Sequence, residues 1–192
     1  MPKPNVRDQI ITAGLATLHS KGFNATSVQD ITDAAGVPKG SFYNHFASKE
    51  ALGVEVVRLY GERAGAMRAA LDDASLPPLK RIERDFQAKV DANVNTEFAC
   101  GCLLGNFSTE LSAQSEQIRT ELSANFAACV AALAPLIAQA QQEGSITLSE
   151  PALDLAETVI DAWQGAVLRA KAEHQRAPLD RFMKTLTSKL LR

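Results

Sequence analysis

Residues 22–52 read GFNATSVQDITDAAGVPKGSFYNHFASKEAL, and the punctuation of this stretch decides how the chain folds. Gly22 suits the position just past a helix end, where a left-handed backbone is needed. Thr26 and Ser27 are both N-cap residue types, and Gln29 stands three residues after Thr26, as in a capping box. Val28, Ile31 and Ala35 then give a short apolar face that Gly36 ends. Pro38 fits the first turn of a following helix, where its missing N–H costs nothing. Phe42 and Phe46, four apart, form that helix's buried side. Upstream, Ile10, Ile11, Gly14, Leu15 and Leu18 share one face of a longer helix. A long helix followed by two short ones, joined by the tight turn Ala35-Gly36-Val37, is the helix-turn-helix pattern, whose second short helix enters the DNA major groove. The competing reading is three core helices of another bundle.

The outward face of the third helix separates the two. With Phe42 and Phe46 inward, Lys39, Gly40, Ser41, Tyr43 and His45 point outward. They are small, hydrogen-bonding or cationic, and none is acidic, whereas a merely solvated face would mix in Glu or Asp. Ser48 is the N-cap of the next helix, which puts Lys49 in its first turn, where the macrodipole disfavours a cation. A bound phosphate would remove that conflict, although an exposed lysine there costs little.

The rest of the chain is helical in period, with no strand-like alternation. A fourth helix runs from Ser48 to about Asp73 and is stopped by Pro77-Pro78. A fifth spans about 79–94 and a short sixth 102–111. The seventh covers 115–143, with a kink or break expected at Pro135. The eighth opens at Ser149 and Pro151 and reaches 173, and the ninth runs from Pro178 to about 190. The expected fold is all-α with nine helices: a helix-turn-helix domain over 1–50 and a larger helical domain over 51–192.

Composition bounds the rest. The 192 residues are 46% hydrophobic and 22% charged, ordinary for a globular chain and against disorder. No apolar run is read as reaching the roughly 20 residues of a membrane span, and Met1 to Arg7 carries no apolar stretch of a signal peptide. The net charge is −2, but residues 1–60 hold six Lys/Arg against five Asp/Glu and the remainder fourteen against seventeen, so the N-terminal third is the more basic. Three cysteines fit a reducing cytosol better than a disulfide framework. No G-x-S-x-G, H-E-x-x-H or phosphate-cradling glycine loop is present, and the three histidines are scattered, so neither an enzyme nor a cofactor or metal site is expected.

The run from Gly22 to Leu52 closely resembles the DNA-binding domain of the TetR family of bacterial repressors. That resemblance implies a homodimer with an inducer-binding C-terminal domain, acting in the bacterial cytoplasm and nucleoid-associated when bound to a palindromic duplex operator. It implies that Lys39, Gly40, Ser41 and Tyr43 lie on the recognition helix, and that Thr26, Ser27, Tyr43, His45 and Lys49 occupy phosphate-contacting positions. It also implies a four-helix dimer interface from the eighth and ninth helices. The eighth carries the stripe Leu153, Ala156, Ile160, Trp163, Val167, Ala170 and beside it Leu155, Val159, Ala162 and Ala166. A helix apolar on two sides buries both.

Cys129 falls on an apolar stripe and reads as a packed, inert thiol. Cys100 and Cys102 flank Gly101 just before the sixth helix, and a cysteine at a helix N-terminus has a stabilised, nucleophilic thiolate. The segment GCLLGNFSTELSAQSE, residues 101–116, resembles the ligand-domain signature of a TetR subgroup related to the N-ethylmaleimide-responsive repressor. This implies that Cys102 senses an electrophile or oxidant, with Lys171 as an activating cation. The alternatives are a non-covalent organic ligand in a pocket walled by Phe107, Phe126 and Trp163, or a partner-binding module without operator binding.

Overall fold

The structure is a computed structural model and describes residues 5–192; Met1 to Pro4, part of the N-terminal stretch read above, lie outside the described residues. Among the described residues all regular structure is helical: α1 Val6–Lys21, α2 Val28–Ala35, α3 Lys39–Tyr43, α4 Lys49–Ala66, α5 Ala69–Asp72, α6 Pro78–Asn95, α7 Leu103–Leu111, α8 Glu116–Gln142, α9 Ala152–Glu173 and α10 Ala177–Thr185, followed by a π-helical turn Leu186–Leu190. There are ten α-helices among these residues rather than nine, because the expected fourth helix is two. Between α4 and α5 the amides of Arg68 and Leu71 bond three residues back, to Gly65 and Arg68, at 3.1 and 2.8 Å. This is a tightened turn of 3₁₀ type. The Arg68 side chain leaves the helix there and donates to the Ala128 carbonyl at 3.4 Å and the Cys129 sulfur at 3.2 Å. Gly65 is the one residue that marks the break in the sequence. The expected eighth and ninth helices are therefore α9 and α10.

The chain divides into two compact units, one comprising residues up to Arg63 with Leu103–Asn125, the other Ala64–Cys102 with Phe126–Arg192. In the first unit α1 ends at Gly22, whose φ is +87° and whose N–H reaches the Leu18 carbonyl at 3.0 Å. The cap of α2 is Ser27, paired with Asp30 rather than Thr26 with Gln29. The Ser27 hydroxyl accepts from the Asp30 amide at 3.1 Å and the Asp30 carboxylate accepts from the Ser27 amide at 2.8 Å. The cap must be the residue directly before Val28, and aspartate closes the box as Glu or Gln would. Gln29 instead donates to Asp33 at 2.6 Å. Gly36 ends α2 in a left-handed conformation, φ +67°, and Val37 N–H returns to the Thr32 carbonyl at 3.0 Å, the double closure that a glycine at this position permits.

Phe42 and Phe46 are buried with Ile10, Leu18, Ile31, Leu52, Val56 and Val57 in the core of this unit. Gly14 lets α1 approach α4 closely: a Cβ there would lie 3.0 Å from Leu52 Cδ2. Gly53 does the same for Phe23 and Ile118, each 3.2 Å from its would-be Cβ. The Ser48 hydroxyl accepts from the Ala51 amide at 3.1 Å and so caps α4.

The core of the second unit joins Ile82, Phe86 and Val90 of α6, Leu133, Ile137 and Ala140 of α8, Trp163 and its neighbours on α9, and Leu179 and Phe182 of α10. Rings of Phe86, Trp163 and Phe182 lie 5.0–5.4 Å apart. The two stripes read on α9 are divided differently from expectation. Leu155, Ala156, Val159, Ile160, Trp163, Val167 and Ala170 all face the chain's own core, Leu153 is exposed, and Ala162 and Ala166 are half-buried. The buried arc is wider than one seam, so both stripes contribute to it.

α8 passes through Pro135 without a break. It also corrects the reading of apolar runs. An 18-residue window within Glu116–Gln142 has mean hydropathy 1.6, long and apolar enough to cross a membrane by length and composition, with 22% of that window buried. Asn125 and the glutamines hide this run from a search for consecutive apolar residues, yet no charge lies between Glu121 and Glu143.

The Ser27–Asp30 box gives the first prediction. The Ser27 hydroxyl and amide, then Lys21 at 3.2 Å, hold the Asp30 carboxyl down at about 2 from an ordinary 3.8. A depressed carboxylate stabilises the fold above its unfolded value, and this is lost as pH falls through the folded one. Asp30→Asn should therefore flatten the pH dependence of unfolding between about pH 4 and 2. Ser27→Ala should lower the unfolding free energy by about 1 kcal/mol at neutral pH, read from the urea midpoint.

Candidate DNA interface and effector site

Of the eight residues expected at the DNA face, five form one exposed run around α3. Lys39, Gly40, Tyr43 and His45 are exposed and Ser41 is half-buried, while Phe42 beneath them is fully buried. Tyr43 stands edge-on to Phe42 at 5.3 Å, so its ring is supported while 58% of the residue stays exposed. Ser27 is exposed at the start of α2, with its hydroxyl engaged by Asp30.

Thr26 and Lys49 sit differently from expectation. Thr26 is 1% exposed and its hydroxyl donates to the Gly22 carbonyl at 2.6 Å; this side chain closes the turn from within and is not on the DNA face. Lys49 turns toward the same segment. Its ammonium donates to the carbonyls of Phe23 and Thr26 at 2.7 and 2.6 Å and lies 4.3 Å from the Phe23 ring centre. Burial pulls its pKa down, opposed by the charge of Glu110. Peptide carbonyls and an aromatic face thus answer the conflict with the α4 dipole, and no phosphate is needed for it.

Glu110 of α7 was not singled out in the sequence. Its carboxylate accepts from the amides of Phe23 and Asn24 at 3.2 and 2.7 Å. It reaches them because Gly22 has no Cβ; one there would sit 2.9 Å from Glu110 Oε1. No local pattern marks such a residue, since its partners lie 86 and 87 positions away.

The cysteine segment lies in the second unit. Glu97 and Phe98 both have positive φ, 50° and 62°, a strained pair for non-glycine residues. Gly101 follows at φ +67°, and a Cβ there would meet Lys171 Cδ at 3.1 Å. Lys171 donates to the Cys100 carbonyl at 3.3 Å, and Gln164 donates to the Cys102 sulfur at 3.5 Å. The structure thus brings Lys171 to the Cys100–Cys102 segment, and it adds Gln164.

Cys129 is half-buried rather than fully packed, and it accepts from Arg68 at 3.2 Å. Burial pushes its thiol up, with Arg68 and Lys89 opposing; a protonated thiol is a poor nucleophile. Asp85, 3% exposed, is paired with Lys89 on the same helix. Of the three expected wall residues, Phe126 is half-buried against this core and Trp163 lies in its aromatic cluster. Phe107 belongs to the other unit, fully buried with its ring 5.7 Å from Phe23. It is a core residue beside the α1–α2 turn. Among the described residues no group of three His, Cys, Asp or Glu is placed to hold a metal ion.

Residues 10–56 match the family model described as bacterial regulatory proteins, tetR family, and residues 78–186, more than half of the chain, match the tetracyclin repressor-like C-terminal domain. The chain belongs to the TetR family of bacterial transcriptional regulators. It is 41% identical over 192 residues to the HTH-type transcriptional repressor DhaR of Mycobacterium sp. strain GP1, covering 100% of this chain and 95% of that protein. It is 26% identical over 177 residues to the HTH-type transcriptional repressor NemR of Escherichia coli K12, covering 92% and 89%. A crystal structure of the regulatory protein TetR from Rhodobacter sphaeroides superposes with a TM-score of 0.89 at 32% identity, over 94% of this chain and 96% of that one. The regulator is a DNA-binding protein and not an enzyme.

Removing the Lys49 ammonium leaves two turn carbonyls without their charged donor. Lys49→Ala should cost about 1–3 kcal/mol of stability, read by denaturant unfolding, and should weaken DNA binding along with it. Unchanged stability would return Lys49 to a surface role.

Proposed function

We propose that this regulator is a homodimeric repressor that holds a palindromic operator and is released by an effector acting at Cys102. The observation that carries the DNA half is the acid-free, exposed face of α3 set on the buried pair Phe42 and Phe46. In this reading Lys39, Gly40 and Ser41 meet base edges, Tyr43, His45 and Ser27 meet phosphates, and Lys49 acts from beneath by holding the turn. Residues 1–50 bind DNA and 51–192 carry the effector site and the dimer contact. The relatives are themselves named repressors, and a bacterial cytoplasmic location, at the nucleoid when bound, follows from that role.

For the dimer we assign α9 and α10. Their outer surfaces form a groove of about 200 Å³ whose lining includes Ala162, Gly165, Ala166, Arg169 and Arg181. Small residues there let a partner helix approach closely, and the exposed Leu168 on α9 gains burial from it. For the effector, support comes from Lys171 and Gln164 placed against the Cys100–Cys102 segment, and from the resemblance to NemR, one crystal structure of which is of its reduced form. Cys100 is the neighbouring thiol of the same segment, and Phe126 and Trp163 supply apolar surface in the same unit.

Operator DNA selected from a random duplex pool supplies the probe. Binding should weaken steeply with salt, because phosphate contacts release counterions. Tyr43→Ala should weaken selected and random duplexes alike, by about fivefold to tenfold. Lys39→Ala and Ser41→Ala should instead change which sequence is selected. An equal loss on both duplexes for all three variants overturns the recognition-helix assignment. With N-ethylmaleimide as electrophile, the parent and Cys129→Ser should release the operator while Cys102→Ser stays bound. Equal release of Cys102→Ser would replace the cysteine switch with a non-covalent organic ligand.

A further inference from the structure

The connection between α1 and α2 is held along both of its edges by charges from outside the helix-turn-helix. On the carbonyl edge Lys49 of α4 takes the oxygens of Phe23 and Thr26. On the amide edge Glu110 of α7 takes the N–H groups of Phe23 and Asn24. Within the segment, Gly22 N–H closes on Leu18, Thr26 N–H on Phe23 and the Thr26 hydroxyl on Gly22. Phe107, one turn before Glu110 on α7, adds its ring edge-on to Phe23. The segment thus has few free torsions of its own, and α2 begins four residues after Asn24. Moving α7 must either break two charge-assisted hydrogen bonds or carry the turn with it.

We propose that Glu110 is a positioning residue for operator recognition: its carboxylate fixes the Gly22–Thr26 turn, and through it the setting of α2 and α3. The proposal is independent of how any effector is sensed. It gives Gly22 a second role besides its positive φ, because a side chain there would push the carboxylate away. It also gives a half-buried acid of the first unit a task, since its carboxylate faces peptide N–H groups.

Charge and geometry make opposite predictions for Glu110→Gln. Loss of a negative charge near DNA, acting through the field alone, raises affinity for every duplex. Loss of the clamp lowers affinity for the selected operator, because a primary amide offers one oxygen where two amides must be met, and its NH₂ opposes the second. The full-length dimer is titrated by fluorescence anisotropy against the selected operator and against a random duplex, for the parent, Glu110→Gln and Glu110→Asp. Circular dichroism monitors the fold. The expected result is a loss of about tenfold in operator affinity for Glu110→Gln, with random-duplex affinity unchanged or raised. Glu110→Asp keeps the charge but is one methylene too short to span both amides, so it should lose operator affinity in the same direction. Hydrogen exchange of the Phe23 and Asn24 amides should speed up in both variants. Equal changes on both duplexes, parent-like operator affinity in Glu110→Gln, or parent-like behaviour of Glu110→Asp would each overturn the assignment.

Discussion

A lysine ammonium set between two peptide carbonyls and an aromatic face is the contact around which the DNA-binding end is assembled. Lys49 is the first residue of α4, yet it reaches back across 26 positions to the Phe23 carbonyl. A hydrophobic core alone could not set this segment, because apolar burial is non-directional and tolerates small rotations of one helix over another. Two carbonyls at 2.6 and 2.7 Å are directional and admit far less variation. The core brings α1, α2 and α4 together, and the charged contacts choose one arrangement among those the core would accept. Gly14 and Gly53 are the packing counterparts of that choice, since each removes a side chain where α4 approaches a neighbour.

Placement rather than amount of charge makes this chain a DNA binder. Its net charge is −2, so no overall field draws it to a polyanion. Instead three acids of the first unit are turned to intramolecular tasks: Asp30 caps α2 and pairs with Lys21, Glu55 holds Arg7 and Arg58, and Glu110 faces backbone amides. The outward run Lys39–His45 contains none. Lys39, the one lysine of that run, acts within a Debye length, roughly 8 Å at physiological salt.

What the sequence made legible is what depends on local pattern. Gly22, Gly36, Pro38 and the Phe42–Phe46 spacing each encode a turn or a buried face within a few residues, and the three-helix arrangement follows from them. The α4–α5 break is faintly marked locally: Gly65 is its one sign, no proline announces it, and the contacts Arg68 makes there, to Ala128 and Cys129, lie sixty positions on. The capping box was placed one residue early because Thr26 and Ser27 are interchangeable as types, and only burial separates them. Thr26 lies inside the turn and Ser27 outside it. Glu110 was invisible for the reason that most second partners are: nothing local distinguishes an acid that will meet backbone amides from one that will meet water. Phe107 packs on Phe23, and an aromatic on a helical stripe reads identically whichever core it enters.

The cysteine segment is built on a different principle from the α1–α2 turn. In the turn the N–H groups of Gly22, Phe23, Asn24 and Thr26 and the carbonyls of Gly22, Phe23 and Thr26 are all matched. The stretch before α7 carries two non-glycine residues at positive φ and a glycine at +67° within five positions; Lys171 donates to the Cys100 carbonyl and Gln164 to the Cys102 sulfur, and Phe98 and Cys102 pack against the core of the second unit. Strained backbone persists only where surroundings hold it, and the core contacts of Phe98 and Cys102 are part of what holds it here. Cys102 is followed directly by Leu103, the first residue of α7, and the same helix ends beside Glu110. One short helix therefore follows the strained stretch directly and carries Glu110 near its other end.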